Sequence, residues 1–263
     1  MDTATSSDGT ALAFDRSGDG PPVVLVGGAF QTRMDPTLVR LAALLAPDFT
    51  VFAYDRRGRG DSDDRAPYAT EREVEDLGAL IDAAGGSAFV WGISSGGVLA
   101  LDAARGLAIT RLALYEPPFV VDGSRPPLPP DYVQHLDELV AAGRRGAAVE
   151  YAMSASMGMP AEFVAPMRDA PFWSGLEAVA HTLAYDGSIM GDTMAGNPLP
   201  ATRWSSVIAP TLVIDGGTTP WMTTGADALA AILPAASRTT LAGQPHNVEA
   251  AALAPVLARF FAG

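Results

Sequence analysis

The stretch that decides the reading is Phe89-Val90-Trp91-Gly92-Ile93-Ser94-Ser95-Gly96-Gly97. An apolar run over 88–91 ends in Gly92-Ile93-Ser94-Ser95-Gly96, and a helical pattern, Val98-Leu99-Ala100-Leu101-Asp102-Ala103-Ala104, follows it. A strand, a sharp turn and a helix with a serine at the apex make a Gly-x-Ser-x-Gly elbow, which presents the serine hydroxyl above a sheet. The glycines two before and two after Ser94 have a steric reason. A side chain at either place collides with the neighbouring strand or helix as the turn tightens. Ser95 does not fit the apex, because Ile93 would then stand at a small-residue position. In a Gly- and Ala-rich chain the motif alone is weak, and the flanking strand and helix carry the assignment.

Outward from the elbow, strands and helices alternate. The largely apolar segments 23–26, 50–54, 88–91, 109–115 and 211–214 read as strands, as does Thr-rich 238–241, and 10–16 reads as an early hairpin strand. Helical periodicity covers 38–45, 71–84, 226–233 and 248–261. Such alternation implies a mostly parallel sheet with helices on both faces. Past position 116 it fails. A Pro-rich stretch, Arg125-Pro126-Pro127-Leu128-Pro129-Pro130, leads into helical pieces at 131–142, 147–157, 161–168 and 173–183. The expected organisation is therefore a core of 1–116 and 207–263 with a helical cap at 117–206.

Whole-chain properties narrow the class. The 263 residues fit one α/β domain or a core with an insertion. A formal net charge of −13 disfavours nucleic acid and anionic membranes as partners. The absence of cysteine excludes disulfides, thiol nucleophiles and Cys-ligated metals. The first eight residues are polar, without a basic segment or an apolar h-region, and no apolar run is long enough to span a bilayer. The expectation is a cytoplasmic protein; a homo-oligomer remains an open option.

Val23-Val24-Leu25-Val26-Gly27-Gly28, Asp55-Arg56-Arg57-Gly58-Arg59-Gly60-Asp61-Ser62, the elbow at Ser94, the helical insertion and a late His246 together carry a resemblance. On them the chain resembles the α/β-hydrolase superfamily, as a capped serine hydrolase, over nearly its whole length. The resemblance implies the α/β-hydrolase fold. It does not fix the substrate, since the fold hosts many chemistries.

A serine hydroxyl needs a base to become a nucleophile, and histidine suits that work near neutral pH. The chain has three histidines: His135 and His181 in the expected cap, and His246 just after the last strand. The resemblance places the base at His246. Such enzymes most often carry an aspartate past the penultimate strand, but Thr219 stands there. Glu116, 22 residues after Ser94 at the end of the next strand, is the preferred acid. Zearalenone-type lactone hydrolases and one group of haloalkane dehalogenases place their acid at this location. Asp215 and Asp122 stay open as alternatives, as does a salt bridge from Glu116 to Arg56 or Arg57. The backbone N–H groups of Ser95 and Ala29, with Phe30 as second choice, are expected to form the oxyanion hole.

The Asp55–Ser62 loop matches no phosphate-binding pattern and reads as structural. No His-x-x-x-His or compact carboxylate cluster calls for a metal, and no cofactor is expected. Methionines and aromatics crowd the cap and the segment after the penultimate strand. Most would form the cap core; Phe30, Met157, Trp173 and Trp221 are the expected substrate contacts in an apolar pocket. The expected reaction is hydrolysis of a carboxylic ester or lactone of an apolar small molecule through an acyl-enzyme. The Ser94-Ser95-Gly96 elbow behind Trp91, Glu116 and Thr219-Pro220 resemble zearalenone-type lactonases. Two rival functions are a non-hydrolytic lyase or cyclase, and a small-molecule binding protein with little turnover.

Overall fold

The computed structural model describes all 263 residues. Its strands are β1 (Asp2–Thr5), β2 (Ala11–Ser17), β3 (Pro22–Val26), β4 (Thr50–Tyr54), β5 (Ala88–Ile93), β6 (Ile109–Tyr115), β7 (Thr211–Gly217) and β8 (Ala236–Gln244). They form one eight-stranded sheet in the order β1-β2-β4-β3-β5-β6-β7-β8. β1 and β2 are antiparallel additions at one edge, and every pair from β4 to β8 is parallel.

Five helices cover the sheet. They are α1 (Pro36–Leu45), α2 (Thr70–Ala83), α3 (Ser95–Ala103), and later α9 (Pro220–Ile232) and α10 (Ala250–Ala262). The two-residue period of the strands divides the core. Val24, Val26, Val90 and Leu112 point to α2, α3 and α9, whereas Val23, Leu25, Trp91 and Ala113 point to α1 and α10. Side chains buried on both faces explain why these strands read as unbroken apolar runs.

Between β6 and β7 there is no strand. The segment holds α4 (Tyr132–Ala141), α5 (Arg145–Ala155), α6 (Ala161–Val164), α7 (Trp173–Ala178) and α8 (Leu183–Met190). It has its own apolar cluster, built from Leu136, Val149, Ala152 and Trp173 among others, and it caps the carboxyl ends of the strands.

The structure departs from the sequence expectations in three places. β1 was not anticipated, because an edge strand of polar residues with one buried side chain, Ala4, shows no apolar run. The helix expected at 161–168 breaks after Val164 into a 3-10 turn, where Pro166 lacks an N–H to continue the ladder. The helix expected at 173–183 ends at Ala178, and a 3-10 turn leads into α8, which no expectation covered.

Candidate active site

The elbow has the expected strained geometry. Ser94 sits at φ 55° and ψ −131°. A Cβ on Gly92 would lie 2.6 Å from the Gly96 carbonyl oxygen, and one on Gly96 would lie 2.3 Å from that of Gly27. Only three non-glycine residues have positive φ: Phe30 at 65°, Ser94 at 55° and Glu116 at 45°. They follow β3, β5 and β6, which are neighbours in the sheet. Strain of this kind persists where a site over-determines the backbone.

Glu116 is fully buried. Its Oε2 lies 2.8 Å from His246 Nδ1, and its Oε1 accepts the Gly216 N–H at 2.9 Å. The Tyr115 hydroxyl donates to the Pro245 carbonyl at 2.7 Å and so holds the turn that carries His246. With Nδ1–H donated to the carboxylate, Nε2 is the free acceptor of the ring. Glu116 makes no salt bridge to arginine: Arg56 pairs with Glu73 and Asp186, and Arg57 with Asp76 and Asp8.

The other two carboxylates are engaged elsewhere. Asp215 lies inside β7 and is fully buried; it accepts from Arg238 at 2.8 Å, from the Gly217 N–H at 3.1 Å and from the Thr223 hydroxyl. Burial alone would raise its pKa, but Arg238 and the threonine hydroxyls bring it down to about 2. Asp122 is exposed and caps the Ser124 N–H at 2.9 Å.

A cavity of about 480 Å³ opens between the strand ends and the cap. Ser94, Ser95, Ala29 and His246 line it, as do Phe30, Met157 and Trp221. Ser95 is the first residue of α3, where N–H groups have no intrahelical acceptor. The Ala29 N–H donates to no atom of the chain.

Trp173 is a correction. It does not reach the cavity but is buried in the cap's own cluster, its indole N–H donating to Glu177 at 3.1 Å. Leu176, one turn further along α7, lines the cavity instead. Other apolar cap residues are also elsewhere: Phe163 and Phe172 are exposed on the outer surface, and Trp204 packs on Phe119.

One group that sequence reasoning missed is Asp186, in α8. It lines the cavity, is buried, and meets Arg56 at 2.8 Å, Arg59 at 2.7 Å and the Ser95 hydroxyl at 2.7 Å. Burial opposes its charge, yet the two guanidiniums and Ser95 hold its carboxyl below the usual range. A signal was present: one carboxylate in the apolar run Leu183-Ala184-Tyr185-Asp186-Gly187-Ser188-Ile189-Met190, with arginines at 56 and 59 in need of partners. In the same loop Asp55 turns its carboxylate inward, accepting the N–H groups of Arg33 at 2.7 Å and Asp61 at 2.9 Å. No group of three or more His, Asp or Glu side chains is placed to hold a metal ion. No helix is long and apolar enough to cross a membrane.

The sheet order, the serine elbow after β5 and a histidine after β8 define an α/β-hydrolase fold. Residues 23–257 match the alpha/beta hydrolase family, and the chain belongs to it. A solved alpha/beta hydrolase from Sphaerobacter thermophilus is 57% identical, with a TM-score of 0.91 over 99% of this chain and 100% of the other. A thermophilic esterase from Thermogutta terrifontis, solved with malate bound, shares 21% identity and a TM-score of 0.72, over 99% of this chain and 97% of its own. The enol-lactonase from Burkholderia xenovorans shares 21% identity and a TM-score of 0.73 over the full length of both. No protein with a curated description matches.

Proposed function

We propose that this protein is a serine hydrolase that cleaves a carboxylic ester or lactone of an apolar small molecule. The observation that carries the reading is the pairing of buried Glu116 with the half-buried His246, 2.8 Å apart, His246 lining the cavity that Ser94 also lines. His246 Nε2 takes the Ser94 proton as Oγ attacks the carbonyl carbon. The electron pair of the C=O bond moves to oxygen, where the N–H groups of Ala29 and Ser95 meet it. Glu116 holds the ring in the competent tautomer and stabilises the imidazolium. His246 returns the proton to the departing alkoxide, which in a lactone stays tethered to the acyl group. Water then attacks the acyl-enzyme by the same relay.

The lining supports an uncharged substrate. Arg56 and Arg59, the cations nearest the cavity's Asp186, are each matched by a carboxylate. Within this class a zearalenone-type macrolactone is the first substrate to try, because of the Ser94-Ser95-Gly96 elbow, Glu116 and Thr219-Pro220. The fold is shared with proteins described as esterases and an enol-lactonase, which agrees with ester chemistry.

A fluorophosphonate should label Ser94 in the folded protein, and Ser94→Ala should abolish labelling and ester hydrolysis together. If folded protein is not labelled, the nucleophile assignment fails. In ¹⁸O-water the acid product should gain label; an unlabelled product would point to lyase or cyclase chemistry.

A further inference from the structure

We propose that Arg59 is a positioning residue of the oxyanion hole, held by Asp186 of the cap and acting through the Gly28 carbonyl on the Ala29 N–H. This rests on the acyl-transfer reading above. The Gly28 carbonyl and the Ala29 N–H are two ends of one peptide unit. In a planar trans peptide they point in opposite directions. Arg59 Nη1 donates to the Gly28 oxygen at 2.5 Å, and to the Gln31 oxygen at 3.4 Å. Fixing the oxygen from behind aims the N–H the other way, toward the cavity that Ala29 lines.

Arg59 also changes the strength of that donor. A buried cation on a peptide oxygen draws electron density from the amide, so its N–H becomes a better donor to developing negative charge. The guanidinium is almost wholly buried, so water does not screen it.

The support for Arg59 comes from the cap. Asp186 Oδ2 accepts from Nη2 at 2.7 Å, and Thr182 Oγ1 accepts from Nε at 3.1 Å. The other oxygen of Asp186 accepts from the Ser95 hydroxyl at 2.7 Å and from Arg56 at 2.8 Å. Arg56 in turn reaches the Gly27 carbonyl at 3.3 Å. One carboxylate thus ties both expected donors, the Ala29 peptide and Ser95, to a single point. Arg56 and Arg59 are balanced by Glu73 and Asp186. Removing one member alone would leave a buried charge without a partner. A plain structural clamp between cap and core would affect stability without affecting the strength of the oxyanion donors.

A trifluoromethyl ketone with a ¹³C-labelled carbonyl separates these roles. Ser94 Oγ bonds to the ketone carbon, the C=O electron pair moves to oxygen, and the serine proton passes to His246. The ¹³C shift against pH then reads the pKa of the oxyanion itself. Two variants are compared with wild type. Arg59→Gln keeps a neutral donor, and the pair Arg59→Met with Asp186→Leu removes both charges at once, which buried pairs often tolerate. In either folded variant the oxyanion pKa should rise by about one unit or more, and kcat on p-nitrophenyl esters should fall about 10- to 100-fold with little change in KM. Arg59→Lys, which keeps the charge, should recover part of the loss. Unchanged oxyanion pKa and kcat in a folded variant overturn the role of Arg59 and leave the serine hydrolase intact. Absence of any wild-type adduct would remove the hydrolase reading and this proposal with it.

Discussion

Replacing Glu116 by glutamine removes the charge from the relay while keeping its shape. The carboxylate has two engaged oxygens, one on His246 Nδ1 at 2.8 Å and one on the Gly216 N–H at 2.9 Å, in a fully buried site. An amide cannot serve both places. If its oxygen stays on Gly216, its NH₂ faces Nδ1 and drives the ring proton to Nε2, the nitrogen that must accept from Ser94. If it flips, two N–H donors face each other without water, at a cost of about 1–3 kcal/mol. A hydrogen bond to a charged group worth about 1.5–3 kcal/mol is lost in either case. Together with the wrong tautomer, this predicts a fall in kcat of about 10³–10⁴, or about 4–5.5 kcal/mol of barrier. Stopped-flow hydrolysis of p-nitrophenyl butyrate measures it, normalised to folded protein by circular dichroism. A Glu116→Gln enzyme that keeps kcat within about tenfold of wild type would refute the assignment of the acid.

Two further substitutions discriminate structure from chemistry. Asp215→Asn should act on stability and leave kcat nearly unchanged. The Asp215 carboxyl is held at about 2 in the folded chain against an ordinary 3.8. A depressed folded value stabilises fully above the unfolded pKa and is lost as pH falls toward 2, so the wild type should lose about 2 kcal/mol between pH 5 and 2 from this group. The variant should lack that loss and unfold at lower urea at pH 7; a larger kcat defect than in Glu116→Gln would transfer the acid role to Asp215. Gly28→Ala places a Cβ 2.9 Å from Ser94 Cβ and 3.1 Å from the Ile93 carbonyl oxygen. The loop must shift, so kcat should drop about 100-fold while the protein stays folded, and an active variant would show that the loop yields without moving the oxyanion donor.

The inner parallel strands were legible because their apolar runs are buried on both faces, and 50–54 and 109–115 match β4 and β6 in full. β1 was not, because its stability comes from pairing with β2 and leaves no trace in its own side chains. The cap was legible as helical, but its helix ends were set by Pro166 and by packing. Trp173 shows the limit most plainly. Its composition suits a ligand pocket and a cap core equally, and only the direction of α7 assigns it to the core.

The sequence by itself determined the elbow, since glycines at 92 and 96 around Ser94 answer a purely local steric demand. It also put His246 just after the last strand, where the resemblance places the proposed base. Tertiary structure decided the partners. Glu116 and His246 are 130 residues apart in the chain, and Asp186 and Arg59 are 127 apart. Which carboxylate meets which cation depends on where separate strands and helices end in space. Local propensity does not encode that: the sequence prefers Glu116 and leaves Asp215 open, and the tertiary structure pairs Asp215 with Arg238 and Glu116 with His246.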